Sequence, residues 1–364
     1  MNFWKQLPKP FFALAPMADV TDAAFRRMIC KYSRHGQVGG GPDVFWTEFV
    51  SADGLVSRGR EALMKDLMFT EEERPIVAQL FSSKPENMRE ASRICAEMGF
   101  DGIDINMGCP DKTIEKQGCG SAMIKTPEKA VEIISAAKQG IQDAGKDIPV
   151  SVKTRVGYNT IELDTWIPLL LKQNISALTV HARTRKEMSK VPARWEHIKE
   201  VVKIRDRLKV DTVIIGNGDV ADVNDGLKRA QESGCDGVMI GRALFGNPWL
   251  FDKARSVVSK PSSWHRFLTW LLPKDFAKKI IGDKRYTQMD VPLKERLKVL
   301  VEHAYLFEEL LGDVKHFAIM KKHFKAYIHG FRGSKELRVR LMEEGNSAQE
   351  VSEIVKKGIV NSEI

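Results

Sequence analysis

Short apolar runs rich in β-branched and aromatic residues recur at fairly regular spacing through residues 1–255. Runs of this kind are typical of strands that are buried on both faces of a parallel sheet. Eight strands are predicted, at 11–17, 44–49, 76–81, 102–108, 150–156, 177–182, 212–218 and 237–243. Amphipathic helical stretches separate most of them. In 86–98, for example, apolar residues line one helical face.

Eight β/α units in about 250 residues are typical of a (β/α)8 TIM barrel. A doubly wound open sheet is the alternative. The strand ends favour the barrel, because side chains suited to a binding site follow almost every strand, and barrel enzymes build their sites at this rim. These residues are Met17, Asp19, Glu48, Gln79, Asn106, Lys153, Arg155, His181, Arg183, Asn217 and Arg242.

After Trp249 the pattern changes from alternating strands and helices to helices alone. Residues 256–290 contain prolines and a Trp/Phe-rich stretch, which predicts a linker with a short helix. Four helices are predicted beyond it, at 292–312, about 314–329, 335–344, and from the capping box SAQE at 347–350 to Gly358. The fold class is therefore α/β, a (β/α)8 barrel at 1–255 followed, after the linker, by a small all-helical domain at 291–364.

The positive charge of the chain is unevenly distributed. The chain has 57 Lys and Arg against 48 Asp and Glu, a net charge of +9, and residues 256–364 hold 20 of the basic and 14 of the acidic residues. Between 315 and 340 there are eight Lys or Arg, three histidines and one acid, Glu336. Such a run is either a solvated helix face or a surface that binds a polyanion.

Composition excludes several other classes of protein. Apolar residues make up 43% and charged residues 29%, as in ordinary soluble globular proteins. No apolar stretch reaches the roughly 18 residues that a membrane helix needs. The N-terminal apolar run is interrupted by Pro16 and Asp19, which favours a strand over a signal peptide. Five cysteines without a CxxC pair predict no metal site and a reducing, cytoplasmic compartment.

The segment DINMGCP places Cys109 just past the fourth strand, where its thiol would project into the barrel mouth. A free cysteine is more often a buried packing residue. That interpretation is kept for the other four, Cys30, Cys95, Cys119 and Cys235. The position of Cys109 on the rim favours chemistry instead.

Lys153 and His181 end consecutive strands. A buried lysine is costly unless it meets an anion, and a reduced flavin carries such a charge. The alternative for Lys153 is an internal ion pair with Glu48. His181 alone would more often be a satisfied core histidine, but the following Arg183 and Arg185 favour contact with an anion or a base.

Glycine clusters follow the last two strands, in IGNGDV (215–220) and MIGRALFGNPW (239–249). Barrels commonly build a phosphate site from backbone amides at these two ends. Arg242 would add charge-assisted hydrogen bonds. The Gly-rich segment 36–42 lacks GxGxxG spacing and no helix follows it, so a dinucleotide-binding fingerprint is excluded there.

Several motifs occur in order along the chain: APMADVTDAAFRR (15–27), TEFVSADGL (47–55), VAQLF (77–81), DINMGCP (104–110), VKTRVG (152–157), TVHARTR (179–185), IGNGDV and GRALFGNPW. Together they resemble the tRNA-dihydrouridine synthase family over residues 11–251. HFKAYIHGFRG (323–333) is similar to the C-terminal domain of that family. The Gly-rich segment 36–42 and the linker 256–290 depart from the family pattern.

The resemblance implies an enzyme that uses FMN to reduce the C5–C6 double bond of uridine in tRNA, with NADPH as the electron source. Cys109 matches the general acid, which gives a proton to C5 after hydride reaches C6 from reduced FMN. This role needs a protonated thiol, and the nearest cation in sequence is Lys112. The positions that match the flavin site are Pro16, Met17, Ala18, Gln79, Lys153, His181, Asn217, Gly218, Asp219, Gly241 and Arg242.

The resemblance also implies an RNA substrate. Asn106 and Arg183 are candidates for contacting the target uracil. Lys321, Lys322 and Lys325 in the basic helical domain are candidates for contacting tRNA phosphates. We expect a monomer with no membrane association and no protein partner.

Two other functions remain open. The first is an FMN barrel oxidoreductase acting on a free pyrimidine or a small enone, which would turn over free uracil or dihydroorotate without tRNA. The second is a non-catalytic RNA-binding protein on a decayed barrel. It would be colourless, whereas bound flavin makes a protein yellow.

Overall fold

Eight parallel strands form one sheet in the computed structural model, which describes residues 2–252 and 291–360. The strands are β1 (Phe11–Leu14), β2 (Phe45–Ser51), β3 (Ile76–Phe81), β4 (Gly102–Met107), β5 (Val150–Arg155), β6 (Ala177–His181), β7 (Val213–Asn217) and β8 (Gly237–Ile240). Their order is β1-β8-β7-β6-β5-β4-β3-β2. A parallel bridge between Ala13 and Val44 joins β1 to the start of β2. The sheet therefore curls round as the predicted (β/α)8 barrel, and the open doubly wound sheet is excluded.

Helices follow the strands along the chain. They are α1 (Ala23–Tyr32), α2 (Ala52–Leu55), α3 (Arg60–Met64), α4 (Pro85–Glu97), α5 (Lys112–Lys116), α6 (Pro127–Asp143), α7 (Leu163–Leu171), α8 (Glu196–Leu208) and α9 (Val223–Ser233). The helix predicted at 86–98 is confirmed as α4, one residue earlier. Among the helices of the described ranges, none is both long and apolar enough to cross a membrane.

The first and last strands are shorter than the sequence pattern predicts. β1 ends at Leu14 and β8 at Ile240, whereas the apolar runs continue to 17 and 243. The Ala15 amide still donates to the Ile240 carbonyl at 2.8 Å, but the Met17 carbonyl already accepts from the Thr21 amide in a turn. The apolar residues beyond each strand therefore belong to loops at the rim.

Large side chains fill the end of the barrel opposite the rim. Trp4, on a short 3-10 helix, packs against Phe11 and Trp46 with ring centroids 5.9 and 5.5 Å away. A Cβ atom at Gly237 would lie 2.5 Å from the Phe11 ring, so glycine makes room for that ring. The polar side chains at the other ends of the strands are left to form the rim.

The C-terminal helical region comprises residues 291–360. Its helices are α10 (Leu293–Leu311), α11 (Lys321–Tyr327), α12 (Ser334–Glu344) and α13 (Ala348–Val360), with a 3-10 turn at Phe317–Met320. Their apolar faces form one buried cluster that also includes Ala24, Met28 and Trp249 of the barrel. The helical region is therefore packed directly against α1. The linker predicted at 256–290 lies outside the described residues.

Two helix predictions in this region are wrong in detail. The helix expected at about 314–329 is the 3-10 turn followed by α11. The last helix does not stop at Gly358 but continues to Val360. A Cβ atom at Gly358 would lie 3.1 Å from Leu337 Cδ1. This glycine therefore permits a close approach between α13 and α12 and does not end the helix.

The basic run at 315–340 is not uniformly a surface. His323 has no solvent exposure, and its ring lies 5.0 Å from that of Phe25 and 4.6 Å from that of His303. Burial lowers the pKa of His323 to about 3, so it carries no charge at neutral pH. Lys315 faces inward and forms ion pairs with barrel carboxylates. Lys322 and Lys325 remain exposed.

Candidate active site

The sheet register brings polar residues from different strands side by side at the rim. Cα partners across neighbouring strands are Gln79 with Asp104, Asn106 with Lys153, Arg155 with His181, and His181 with Asn217. Residues separated by 25 to 47 positions in sequence thus become neighbours. The polar residues predicted at the ends of β3 to β7 therefore lie together at the rim of the barrel.

The loop that carries Cys109 is held by hydrogen bonds from several directions. The Asn106 Oδ1 atom accepts from the backbone amides of Gly108 and Cys109, at 3.1 and 2.9 Å. Arg155 Nε donates to the Gly108 carbonyl at 2.7 Å, and the Ser121 amide donates to the Cys109 carbonyl at 2.9 Å. The position of the half-buried thiol is therefore well defined.

Burial raises the pKa of the Cys109 thiol above its ordinary value. The nearest cation in sequence is Lys112, but the fold brings Arg155 and Lys153 of β5 close enough to oppose this shift. Burial is the larger influence, so the direction remains upward. The thiol is therefore protonated at neutral pH and is able to donate a proton.

The Gln79 side chain is fully buried, and both ends of its amide are engaged. Its Nε2 donates to Asp104 Oδ2 at 2.6 Å, and its Oε1 accepts from Asn106 Nδ2 at 3.0 Å. Asp104 also accepts from Ser151 Oγ at 2.5 Å. Burial raises the pKa of Asp104 to about 6, so it is mostly ionised at neutral pH. Asp104 thus fixes the orientation of the Gln79 side-chain amide.

Lys153 forms no ion pair among the described residues, although the buried Asp104 carboxylate is near enough to raise its pKa. Its Nζ lies 3.4 Å from Asn217 Oδ1, and no described carboxylate lies within ion-pair distance. Burial, and then the neighbouring Arg155, lower the pKa of Lys153 to about 8. The alternative ion pair with Glu48 is not formed, because Glu48 contacts Lys315 at 2.6 Å instead.

His181 is neutral, and an arginine fixes its ring. Burial, reinforced by surrounding cations, lowers the pKa of His181 well below its usual value. Arg183 Nη1 lies 3.1 Å from His181 Nε2, its Nε donates to the Val191 carbonyl at 2.6 Å, and its Nη2 pairs with Asp219. Asp219 also accepts from Arg242 Nη2 at 2.5 Å. A chain of charges thus connects the ends of β6, β7 and β8.

Glycines at the ends of β7 and β8 let neighbouring groups approach the backbone closely. Gly218 has φ of +125°, and a Cβ atom there would lie 2.8 Å from Ala193 Cβ and 3.2 Å from His181 Cδ2. A Cβ atom at Gly241 would lie 3.3 Å from Met17 Sδ. The glycine backbone at these two strand ends, with the Lys153 ammonium close to Asn217, supplies the kinds of group that hold an anionic, phosphorylated cofactor.

Residues 15–22, called the rim loop here, contain the predicted flavin-packing residues Pro16, Met17 and Ala18. The Met17 amide donates to Thr21 Oγ1 at 2.8 Å. The Asp19 amide donates to Glu48 Oε1. The rim loop is therefore tied both to itself and to β2.

The three lysines proposed for tRNA phosphates differ in their surroundings. Lys321 Nζ lies 2.9 Å from Asn346 Oδ1, and Lys322 Nζ lies 2.9 Å from Asp19 Oδ2 on the rim loop. Lys325 is exposed on α11. The structure thus places Lys322 at the boundary between the helical region and the barrel rim.

Sequence reasoning missed three residues that organise the site. Asp104 could have been suspected, because an acid inside an apolar strand needs a buried partner. Arg155 was recognised at the rim but not connected with Cys109, since that contact depends on the β4–β5 register. Lys315 left no local signal, because its partner Glu48 is 267 positions away.

Comparison with known proteins identifies the family. Residues 13–362 match the family described as "Dihydrouridine synthase (Dus)". The chain is 41% identical over 344 residues to the probable tRNA-dihydrouridine synthase 2 of Bacillus subtilis (strain 168), covering 94% of this chain and 92% of that protein. It is 40% identical over 351 residues to the probable tRNA-dihydrouridine synthase of Staphylococcus epidermidis, with coverage of 96% and 94%.

Solved structures offer a much weaker likeness. Histamine dehydrogenase from Rhizobium sp. 4-9 aligns with a TM-score of 0.44 and 13% identity, over 68% of this chain and 45% of that one. The assignment therefore depends on the family match and on the curated relatives. By both, the chain belongs to the dihydrouridine synthase family.

Proposed function

We propose that this protein is a tRNA-dihydrouridine synthase that reduces the C5–C6 double bond of uridine in tRNA, using FMN and NADPH. The observation that supports this most directly is the presence, at one rim, of a protonated thiol, Cys109, and a buried ammonium that forms no ion pair among the described residues, Lys153. The first group suits proton donation and the second suits an anionic cofactor. The names of the relatives at about 40% identity agree with this chemistry.

Bound FMN, reduced by NADPH, would supply the hydride that adds to C6 of the uracil ring. Lys153 would hold negative charge on the cofactor, because burial lowers its pKa more than the nearby Asp104 carboxylate raises it, so its charge is only partly compensated by the protein. His181 and Gln79 would offer neutral hydrogen-bonding groups in fixed orientations. The backbone at Gly218 and Gly241 would approach the phosphate and ribityl chain, because these two residues carry no side chain.

The remaining proposed cofactor contacts lie on two segments. Asn217, Asp219 and Arg242 would hold the phosphate end, with Asp219 keeping the Arg242 guanidinium in place. On the other side, Pro16, Met17 and Ala18 of the rim loop would pack against the flavin ring system. We propose each of these cofactor contacts for its own residue, independently of the others.

Cys109 would donate its proton to C5 after hydride has reached C6. The raised pKa keeps the proton on sulfur until negative charge develops at C5. The thiolate that remains would then recover a proton from solvent. Asn106 would keep this sulfur in place, since its carbonyl oxygen accepts the Cys109 amide.

Arg183 is better suited to positioning than to direct contact with the base. The side chain is 2% exposed, and its guanidinium already meets His181, Asp219 and the Val191 carbonyl. We therefore propose that Arg183 orients the His181 ring toward the ligand. Asn106 is also a positioning residue, because it holds the Cys109 loop. Its Nδ2 already donates one hydrogen to Gln79, and the second would be donated to the uracil.

The substrate base must leave the RNA stack to enter a barrel mouth. The basic C-terminal helical region would hold the tRNA through phosphate contacts, with Lys325, Lys322 and Lys321 as the candidates. Of these three, Lys322 reaches the rim loop, through its contact with Asp19.

The decisive experiment replaces Cys109 with alanine. The flavin of Cys109→Ala should still be bleached by NADPH, but dihydrouridine formation in tRNA should fall by roughly 10²–10⁴-fold, the usual contribution of a general acid. Cys119→Ala is the matched control, because Cys119 is a buried neighbour in the same connection. Dihydrouridine is measured in isolated tRNA by mass spectrometry.

Each alternative has its own outcome in this assay. A Cys109→Ala enzyme that modifies tRNA as fast as the parent contradicts the general-acid role. Reduction of free uracil without tRNA would indicate the small-molecule FMN oxidoreductase. A colourless parent protein that takes up no FMN would contradict the flavin chemistry altogether.

A further inference from the structure

A lysine of the helical region reaches the barrel rim. Lys315 lies in the connection between α10 and the 3-10 turn at Phe317–Met320. Its Nζ lies 2.6 Å from Glu48 Oε2 and 2.7 Å from Asp66 Oδ1. The side chains of Lys315 and Glu48 are 13% and 5% exposed, so this is a buried ion pair between two parts of the fold.

The other oxygen of Glu48 holds the rim loop. Glu48 Oε1 accepts the backbone amide of Asp19, which has a positive φ of 51°. This left-handed conformation is unfavourable for a residue with a side chain, so Asp19 depends on its contacts to keep it. Lys315 thus connects through Glu48 to the loop that contains Met17.

The charge balance around Glu48 makes Lys315 essential to this connection. Three carboxyl groups, those of Asp22, Glu48 and Asp66, lie near one lysine. Burial raises the pKa of Glu48 to about 7 and that of Asp22 to about 6, and in both cases Lys315 opposes the shift. Without Lys315, the Glu48 carboxyl would lose the ion pair that holds it in this orientation and would turn toward water, so its hold on the Asp19 amide would weaken.

We propose that Lys315 is a positioning residue for the flavin, acting through Glu48 and Asp19 to hold the rim loop against the cofactor. This inference rests on the proposed function, because it assigns the rim loop to FMN. The helical region then has two roles, since it completes the cofactor site as well as binding RNA. Lys322 supports the same loop from the surface through its exposed ion pair with the Asp19 carboxylate.

The test compares Lys315 with Lys65, because each forms an ion pair between the barrel and the C-terminal helical region. Lys315→Met removes the buried pair. Lys65→Met removes the exposed pair between Lys65 and Asp313, which are 3.0 Å apart and do not contact the rim loop. FMN affinity is measured by fluorescence quenching on the flavin-free protein. Hydrogen exchange is measured in peptides covering residues 15–22, which gives a readout that needs no flavin.

Lys315→Met should bind FMN about tenfold more weakly, a change of about 1.4 kcal/mol, and should exchange the rim-loop amides faster. Lys65→Met should match the parent in both measurements. The double variant Lys315→Met/Glu48→Gln should recover part of the affinity, because a neutral glutamine still accepts the Asp19 amide and carries no charge that favours turning toward water, although Asp66 still loses its ion pair.

Other results would overturn the inference. Lys315→Met would do so if its FMN affinity and its rim-loop hydrogen exchange matched those of the parent. Lys65→Met would do so if it lost as much FMN affinity as Lys315→Met, because that would indicate general loosening between the barrel and the helical region. If Lys315→Met does not fold, the double variant decides, and a folded double variant with tenfold weaker FMN binding rejects the role of Glu48. A parent that binds no FMN rejects the proposed function and this inference together.

Discussion

Two inward-facing lysines, one in the barrel mouth and one at the junction with the helical region, occupy opposite electrostatic environments. Lys153 has no described carboxylate within ion-pair distance, and its pKa is lowered to about 8. Lys315 lies between Glu48 and Asp66, and these carboxylates raise its pKa above the ordinary value of 10.5. Both side chains lose hydration on folding, but only Lys315 forms ion pairs with carboxylates, whereas the nearby Asp104 compensates Lys153 only in part.

This difference in electrostatic environment distinguishes a lysine suited to binding a ligand from a lysine that holds parts of the fold together. A buried cation without a counter-ion destabilises the empty protein, and this cost is recovered when an anion binds. A cation that already has two carboxylates has little left to offer a ligand, but it can hold parts of the fold together. We therefore assign Lys153 to the cofactor and Lys315 to the architecture around it.

The largest expected effect is on folding stability, and its sign should differ between the two lysines. Lys315→Met should lower the free energy of unfolding of the flavin-free protein by roughly 3 kcal/mol, because it leaves a buried carboxylate unpaired. Lys153→Met should raise it by about 1 kcal/mol, because it removes a buried charge whose loss of hydration is only partly compensated. Urea unfolding near pH 7, followed by circular dichroism, measures both.

The choice of pH follows from the direction of the Lys315 shift. A lysine whose pKa is raised on folding contributes its full stabilisation below the unfolded value, here 10.5, and loses it as the pH rises through the folded value. Lys315 is therefore fully charged at neutral pH, and any change of the effect near pH 7 comes from its partner Glu48, whose pKa is raised to about 7. Equal and same-sign changes in the two variants would remove the distinction between the two sites.

A second, intermediate effect concerns the pH dependence of FMN binding. Because Lys153 has a pKa of about 8 in the free protein, it is charged below that pH, and an adjacent anion would raise the pKa further. Affinity should therefore be highest below about pH 8 and fall as the pH rises through it, by up to about tenfold per pH unit. Fluorescence titrations from about pH 7 to about pH 9 measure this.

The matched control for this titration is Lys153→Met, whose FMN affinity should be low and independent of pH over the same interval. Lys315→Met should keep the parental pH dependence at lower affinity, because its effect does not pass through Lys153. A parent whose FMN affinity stays constant over this interval would contradict the assignment of Lys153 to the anionic cofactor.

The smallest effect concerns lysines on the surface of the helical region, where charge is most available to RNA. Lys325→Ala should reduce the salt dependence of tRNA binding by roughly 0.9 in the slope of log K against log salt, the value for one phosphate contact. Lys322→Ala should change it less, because its ammonium must first leave Asp19. Filter binding at several salt concentrations gives the slopes.

The control for the surface lysines is Lys203→Ala on α8, an exposed lysine outside the helical region that pairs with Glu200. Its slope should equal that of the parent. If Lys325→Ala also leaves the slope unchanged, the basic run is a solvated helix face and contacts no phosphate.

Much of the candidate site was predictable because strand ends are local features. The apolar runs predicted all eight strands within a few residues of their ends, and the side chains after β3 to β7 formed one rim because the strands are parallel and in register. Cys109 could be singled out on the same ground. The alternative of an ion pair between Lys153 and Glu48 is not formed, and the sequence could not decide it, since composition cannot tell which carboxylate a buried lysine meets.

The sequence alone determined the alternation of strands and helices, the polar rim and the basic C-terminal helices, because hydrophobic periodicity and turn residues act over a few positions. Only the tertiary structure decided that Arg155 would hold the Cys109 loop, that Asp104 would orient Gln79, and that Lys315 would meet Glu48. These contacts depend on sheet register and on how α10 docks against α1. Such long-range geometry is set by the packing of the whole chain, which no local pattern encodes.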